Sequence, residues 1–212
     1  MESYKALLLA NKAWVQERLQ IDSDYFSELS KDQKPEFLWI GCSDSRVPAE
    51  EITGTKAGDI FTHRNIANLV VHSDDNLQSV LHYAVEILKV NHIIVCGHYD
   101  CGGIRAAMTR QRFGSMDRWL RNIKDVYHNY RDEIQSAGEQ DAQANRLVEL
   151  NVMDQVRNLT KTKVVQKAWH FERRPTIHGW VFSMNDGKLS NLYKVEPGSP
   201  IEDIYCYDPE TL

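Results

Sequence analysis

His98 and Cys101 stand three residues apart in Gly97-His-Tyr-Asp-Cys-Gly-Gly103, and no other His-x-x-Cys occurs in the 212 residues. At that spacing an imidazole and a thiolate can reach one ion from a single turn. Cys42, in Gly41-Cys-Ser-Asp-Ser-Arg46, lies 98 − 42 = 56 residues earlier, about one strand–helix–strand excursion. Two thiolates and one imidazole suit zinc, and three protein ligands leave a fourth tetrahedral position for water or another group. Burial as a small apolar side chain is the ordinary fate of cysteine. That fate fits Cys96, inside an apolar run, and Cys206 in the tail, but not Cys42 and Cys101 in polar, glycine-flanked loops. The other seven histidines (63, 72, 82, 92, 128, 170 and 178) read as surface or satisfied-core residues. Asp44 and Arg46 sit beside Cys42. They read either as an exposed ion pair of small worth, or as a carboxylate within reach of the metal whose direction the arginine decides.

These loops need elements to position them. Each follows an apolar run, Phe37-Leu-Trp-Ile-Gly41 and His92-Ile-Ile-Val-Cys96, of the kind that forms buried strands, with Gly97 ending the second. Residues 1–34 are predicted helical with a break before Tyr25, and Pro35 stops them. Asp59–His63 is a further strand. Leu77, Val80, Leu81, Ala84, Val85 and Leu88 make one helix face behind a capping Ser73-Asp-Asp-Asn76. Ile104 to about His170 is mostly helical, broken near Ala137-Gly138, with the first helix beginning near Ile104. Pro175–Phe182 and Lys188–Val195, joined through Asn185-Asp-Gly187, form a hairpin. The order implies an α/β fold: a central, mostly parallel sheet with flanking helices, an N-terminal helical arm and an antiparallel edge hairpin. One domain is expected over 1–212, with an arm (1–34), a core (35–195) and a tail (196–212). In such sheets the chemistry lies beyond the carboxyl ends of the strands.

Lys plus Arg number 25 against 30 for Asp plus Glu, a net charge of −5, which argues against a nucleic-acid or anionic-membrane partner. No window approaches eighteen consecutive apolar residues, so no membrane span is expected. The short apolar run Ala6–Ala10 lacks the basic flank and cleavage site of a signal peptide. Four cysteines do not make a secreted disulfide framework in a chain of this length. A cytoplasmic protein with reduced thiols is expected.

Cys42-Ser-Asp-Ser-Arg-Val-Pro-Ala49 together with His98-x-x-Cys101-Gly-Gly103 resembles the β-class carbonic anhydrases, mostly their bacterial branch. Phe37–Cys42, His63-Arg-Asn65, His92–His98, Glu149-Leu-Asn-Val152 and Ile177-His-Gly-Trp180 extend the likeness over about residues 1–195. The resemblance implies zinc, one per chain, on Cys42, His98 and Cys101, and a catalytic dyad of Asp44 and Arg46. The implied reaction is reversible hydration of carbon dioxide to bicarbonate and a proton, with Asp44 accepting a hydrogen bond from the hydroxide. It also implies a small apolar substrate pocket at a dimer interface, matched by Gln33, Phe61, Ile66 and Tyr83, with the Gly102 and Gly103 amides at its oxygen-binding end. Ordinary core packing is the alternative for Phe61 and Ile66. A homodimer at least, or a tetramer, is implied.

The branch resembled can also switch off when Asp44 swings onto zinc as a fourth ligand, a state that bicarbonate promotes from a second pocket. Trp39 and Arg64 match that pocket, Glu50 matches the acid pairing with the arginine when it is empty, and Phe182 stands where the relatives carry a tyrosine. Asp100 stands where they often carry glycine, adding a negative charge between two ligands. Two rival functions share the scaffold or the cluster: hydrolysis of carbon disulfide or carbonyl sulfide, and a non-catalytic zinc or redox sensor. The intact Asp44–Arg46 pair argues against the sensor, which has no need of it.

Overall fold

The structure, a computed structural model, describes residues 2–212 and falls into two compact units, the first ending at Lys34 and the second spanning Pro35–Leu212. In the first unit α1 (Ser3–Ile21) buries none of its residues. It is joined to α2 (Tyr25–Leu29) by aromatic edges: Trp14 meets Tyr25 and Phe26 with ring centroids 6.2 and 5.5 Å apart, and Arg18 lies over Trp14 and Tyr25.

The second unit is built on a five-stranded sheet of β1 (Phe37–Cys42), β2 (Ile60–Asn65), β3 (His92–His98), β4 (Thr176–Ser183) and β5 (Lys188–Val195), in the order β2-β1-β3-β4-β5. The first four strands in that order run parallel and β5 closes the edge antiparallel, with an irregularity at Gly179/Trp180. Because side chains alternate along a strand, the apolar residues of β1, β3 and β4 divide between two faces. Leu38, Ile40, Ile93, Val95, Ile177 and Val181 pack into the main core with Leu147, Val152 and Val156. Trp39, Ile94, Cys96 and Phe182 form a smaller cluster with Val47 and Ala49.

The helices are α3 (Ala49–Thr53), α4 (Asp75–His82), α5 (Gly102–Ala107), α6 (Met116–Asn129), α7 (Arg131–Ser136), α8 (Gln140–Thr160) and α9 (Lys163–Glu172). At the start of α4 the Asp74 carboxylate accepts from the Asn76 N–H, and a π turn, Tyr83–Ile87, continues that helix. Three local expectations change. Gly97 does not end its strand: β3 runs through it to His98, pairing with Val181 and Phe182 of β4. The glycine serves packing instead, since a Cβ there would stand 2.6 Å from Val152 Cγ2 of α8. The helix expected from Ile104 starts at Gly102, directly after Cys101. Cys206 is exposed rather than packed, in a tail with too little chain around it to bury a thiol.

Candidate metal centre

β1 and β3 are neighbours in parallel register, Gly41 opposite Cys96, so Cys42 and His98 emerge at the same end of the sheet. Cys101 follows one short turn later, at the residue that precedes α5. All three are buried, and one ligand atom from each lies within 4.8 Å of the others. Thus the topology, not local sequence, gathers ligands separated by more than fifty residues.

His98 Nδ1 lies 2.9 Å from the Tyr99 carbonyl, which can only accept, so Nδ1 carries the proton. The lone pair is therefore on Nε2, which is buried and has no hydrogen-bond partner. Cys42 Sγ and Cys101 Sγ are 3.9 Å apart. Two thiolates each about 2.3 Å from a tetrahedral zinc would stand about 3.8 Å apart, so the donor set fits that ion. Of the two sulfurs, Cys42 is the one driven towards thiolate. The Cys101 thiol hydrogen bond contributes most, against the opposing effect of burial. Cys101 is held as a thiol by its hydrogen bond to Cys42 and by burial. Two anions this close in an apolar setting need a cation between them.

Asp44 lies at the edge of this group. The Arg46 guanidinium grips it as a fork, Nε on Oδ1 at 2.9 Å and a terminal nitrogen on Oδ2 at 2.7 Å, and the Arg46 N–H adds a bond of 3.0 Å. This grip holds the Asp44 carboxyl well below the usual carboxylate range. Oδ2 is at the same time 3.8 Å from His98 Nε2. Asp100 has φ +57°, a left-handed backbone that explains why glycine serves at this position and why aspartate is tolerated. Its carboxylate does not stand unpaired between the ligands: Arg105 binds it at 2.6 Å and binds Asp141 with its other arm.

The residues expected to line a substrate pocket fall into two contacts. Phe61 is half-buried and stacks on the exposed Tyr83, centroids 5.7 Å apart. Ile66 is exposed and packs against Gly103, where a Cβ would stand 2.7 Å from its Cγ2. Neither Ile66 nor Tyr83 is core. The two glycines expected at the oxygen-binding end, Gly102 and Gly103, open α5 directly after Cys101. Gln33 is exposed in the first unit.

In the expected regulatory set, Arg64 and Glu50 bond to other groups in this structure. Arg64 bonds the carbonyls of Cys42, Asp44 and Val47, and Glu50 accepts from the Thr62 hydroxyl at 3.2 Å. The Cys42–Val47 loop turns three carbonyls towards the guanidinium, and they hold it. Trp39 and Phe182 are both buried in the smaller cluster. Sequence reasoning did not single out Ala67 or Gln155, and met Asn151 only inside Glu149-Leu-Asn-Val152. The available signal was a pair of amide side chains, Asn151 and Gln155, at i and i+4 in a helical stretch.

A family profile described as carbonic anhydrase matches residues 37–189. A carbonic anhydrase of Emericella nidulans is 46% identical over 206 residues, covering 96% of this chain and 90% of that protein. One from Saccharomyces cerevisiae is 32% identical, covering 90% of each. Among solved structures, one of two described as tetrameric β-carbonic anhydrases of the filamentous ascomycete Sordaria macrospora superposes with a TM-score of 0.88 at 36% identity. It covers 92% of this chain and all of the other. A Coccomyxa β-carbonic anhydrase in complex with acetazolamide gives 0.87 at 34%, covering 92% of this chain and 89% of that one.

Proposed function

The chain belongs to the β-class carbonic anhydrases, zinc enzymes that catalyse reversible hydration of carbon dioxide to bicarbonate and a proton, and we propose that Cys42, His98 and Cys101 hold its zinc while Asp44 and Arg46 direct the chemistry. One observation carries this reading: a buried imidazole nitrogen with a lone pair and no partner faces two cysteine sulfurs, next to a forked carboxylate. When bound, zinc supplies Lewis acidity that lowers the pKa of water and makes hydroxide available near neutral pH.

The chain's own groups do the rest. Asp44, ionised and able only to accept, takes a hydrogen bond from the attacking oxygen and turns its remaining lone pair towards the carbon. Arg46 fixes the plane of that carboxylate, because two guanidinium nitrogens on two oxygens leave it little rotation. The Gly102 and Gly103 N–H groups, at the start of α5, take the forming substrate oxygen. Phe61, Ile66 and Tyr83 supply the apolar surface on which carbon dioxide, itself apolar, displaces water. Asp44, 3.8 Å from His98 Nε2, is also close enough to become an alternative fourth ligand if it leaves Arg46.

The proposed state is a homo-oligomer, dimer or larger: α1 leaves Leu7, Leu8 and Leu9 exposed, and such apolar surface calls for a cover. The proposed compartment is the cytoplasm, because all four cysteines are free and two must stay reduced to bind metal. Among the described residues no helix is long and apolar enough to cross a membrane. The test is stopped-flow hydration of carbon dioxide on metal-analysed protein. One zinc per chain with rapid turnover supports the assignment; activity without zinc, or zinc without activity, sinks it.

A further inference from the structure

The turn that follows β2 lies against both cysteine loops and is held in an unusual conformation. Ala67 and Asn68 have φ of +64° and +49°, two consecutive left-handed residues, neither of them glycine. Alanine has no intrinsic reason to adopt such a backbone, so something must impose it. The turn contacts the ligand loops in two ways. The Asn65 carbonyl, where the turn begins, accepts from the N–H of Ser43 beside Cys42 at 2.9 Å, and Ile66 Cγ2 and Ala67 Cβ are the atoms that a side chain at Gly103, two residues after Cys101, would meet at 2.7 and 3.4 Å.

Asn65 closes the turn by bonding the Leu69 N–H at 2.7 Å and the Leu69 carbonyl at 2.8 Å, and a chain of buried amides on one face of α8 holds it from behind. Gln155, 3% exposed, accepts the Val70 N–H at 2.8 Å. A backbone N–H only donates, so the end of Gln155 facing it is the oxygen. Its NH2 end must therefore face Asn151, to whose Oδ1 it donates at 3.1 Å. The NH2 end of Asn151, 1% exposed, is left for the Ala67 carbonyl at 3.1 Å. The far end is consistent, because a carbonyl only accepts. Asn158 adds longer bonds, 3.3 Å, to the Val70 carbonyl and to Gln155 Oε1. On the opposite side Trp119 Nε1 of α6 donates to the Ile66 carbonyl at 2.8 Å. Each amide fixes the orientation of the next, and none of the groups titrates.

Resting on the zinc assignment above, we propose that Asn151, oriented by Gln155, is a positioning residue for the metal centre: it holds Ala67 left-handed so that the turn keeps its bond to the Cys42 loop and its packing on the Cys101 loop. Loss of this bond then loosens the thiolate ligands before it loosens the fold. A merely structural role predicts loss of stability alone.

The experiment uses the full chain loaded with zinc and, in parallel, with cobalt(II). Transfer of zinc to excess chelator, the cobalt–thiolate charge-transfer band and the melting temperature are compared for parent, Asn151→Leu, Trp119→Phe and Val165→Ala. Val165 is a buried residue of α9 that takes no part in the turn. One hydrogen bond corresponds to about threefold to tenfold, so Asn151→Leu is expected to release zinc faster by that factor and to shift the cobalt band. Trp119→Phe, which removes the Nε1 donor and part of the ring of a half-buried side chain, moves both readouts in the same direction and keeps the test alive if Asn151→Leu does not fold. Val165→Ala lowers the melting temperature and moves neither. Zinc release that follows melting temperature alike in all variants, or an unshifted cobalt band, overturns the proposal. Failure of the parent to retain zinc, or full retention in Cys42→Ala, instead overturns the underlying ligand assignment.

Discussion

Two groups of residues on the same strands were expected to meet small molecules, and they differ in how completely their polar atoms are satisfied. At the carboxyl ends of β1 and β3, His98 Nε2 is buried without a partner and two sulfurs crowd at 3.9 Å. Across the sheet, Arg64 spreads over three backbone carbonyls, Glu50 takes the Thr62 hydroxyl, and Trp39 and Phe182 are sealed in an apolar cluster. Both places have suitable residue types; only the first leaves converging donor atoms with nothing to bind. An unpaired buried polar atom costs free energy, so a fold that retains one facing two thiols is organised around a missing partner. An arginine already bonded to carbonyls must exchange those bonds for any anion it accepts. Its affinity is a difference of like quantities.

The largest effect expected from this contrast is at the metal ligands. Cys101→Ala removes one of three donors and the cation that reconciles the other two, so metal analysis should find no zinc and stopped-flow no hydration. Full occupancy in that variant would show that the strand-end reading is wrong. Next comes Asp44→Asn. The amide keeps the shape but loses the charge that pairs with Arg46 and the acceptor-only character that orients the attacking oxygen. Zinc should be largely retained while hydration falls about a hundredfold or more, the scale of a lost proton-handling group. Near-normal turnover would reduce the pair to a surface ion pair.

Arg46→Lys tests geometry with charge conserved and should cost less, about tenfold, because one ammonium replaces a two-point fork. It also has a pH signature. Arg46 depresses the Asp44 pKa, so the ionised pair is fully present above the ordinary carboxylate range and is lost only as pH falls through the lowered value. In the parent, therefore, the acid limb of the rate profile does not belong to Asp44. With lysine the fork is lost and the Asp44 pKa, followed by NMR titration of its carboxyl carbon, should move up towards its ordinary value. A titration identical to the parent's would assign the depression to something other than the fork.

The Cys42–His98–Cys101 cluster was legible in the sequence because it is a matter of residue type at strand ends: few side chains bind zinc, and glycine-flanked polar loops after apolar runs are where an α/β sheet exposes them. The sheet was legible for a related reason, since β1 and β3 are continuous apolar runs that only a doubly covered strand requires. What was not legible depends on partners distant in sequence. Gly97 reads as a terminator, yet its function is to admit Val152 of α8, more than fifty residues away. What Asn151 and Gln155 bond is set by the turn at 66–70, which supplies backbone groups some eighty residues away in sequence. Arg64 and Glu50 are suited to pair by charge, but three carbonyls of the Cys42–Val47 loop hold the arginine first. Residue type forecasts what a side chain can bind; only the fold decides which of the available partners reaches it.

The smallest effect is expected at Phe182, and it sharpens the contrast from the weaker side. Phe182 is 7% exposed among Trp39, Ile94 and Cys96, so it offers an anion no hydrogen bond. The parent should therefore be only weakly inhibited by bicarbonate through this flank. Phe182→Tyr adds a hydroxyl where the resembled branch carries one. A fresh bond to a charged group is worth roughly 1.5–3 kcal/mol, or about ten- to a hundredfold in affinity, if nothing has to be broken first. Here something does: for Arg64 to turn to bicarbonate it must release the Cys42, Asp44 and Val47 carbonyls, and that loss offsets most of the gain. Bicarbonate inhibition of hydration near neutral pH should thus strengthen in Phe182→Tyr by only a few-fold. A rise of a hundredfold would mean that Arg64 leaves its carbonyls at little cost and that the flank is a ready anion site lacking one hydroxyl. Strong inhibition of the parent itself would mean that Arg64 binds the anion without help, and the distinction between a satisfied and an unsatisfied site would then fail at the place where it was drawn.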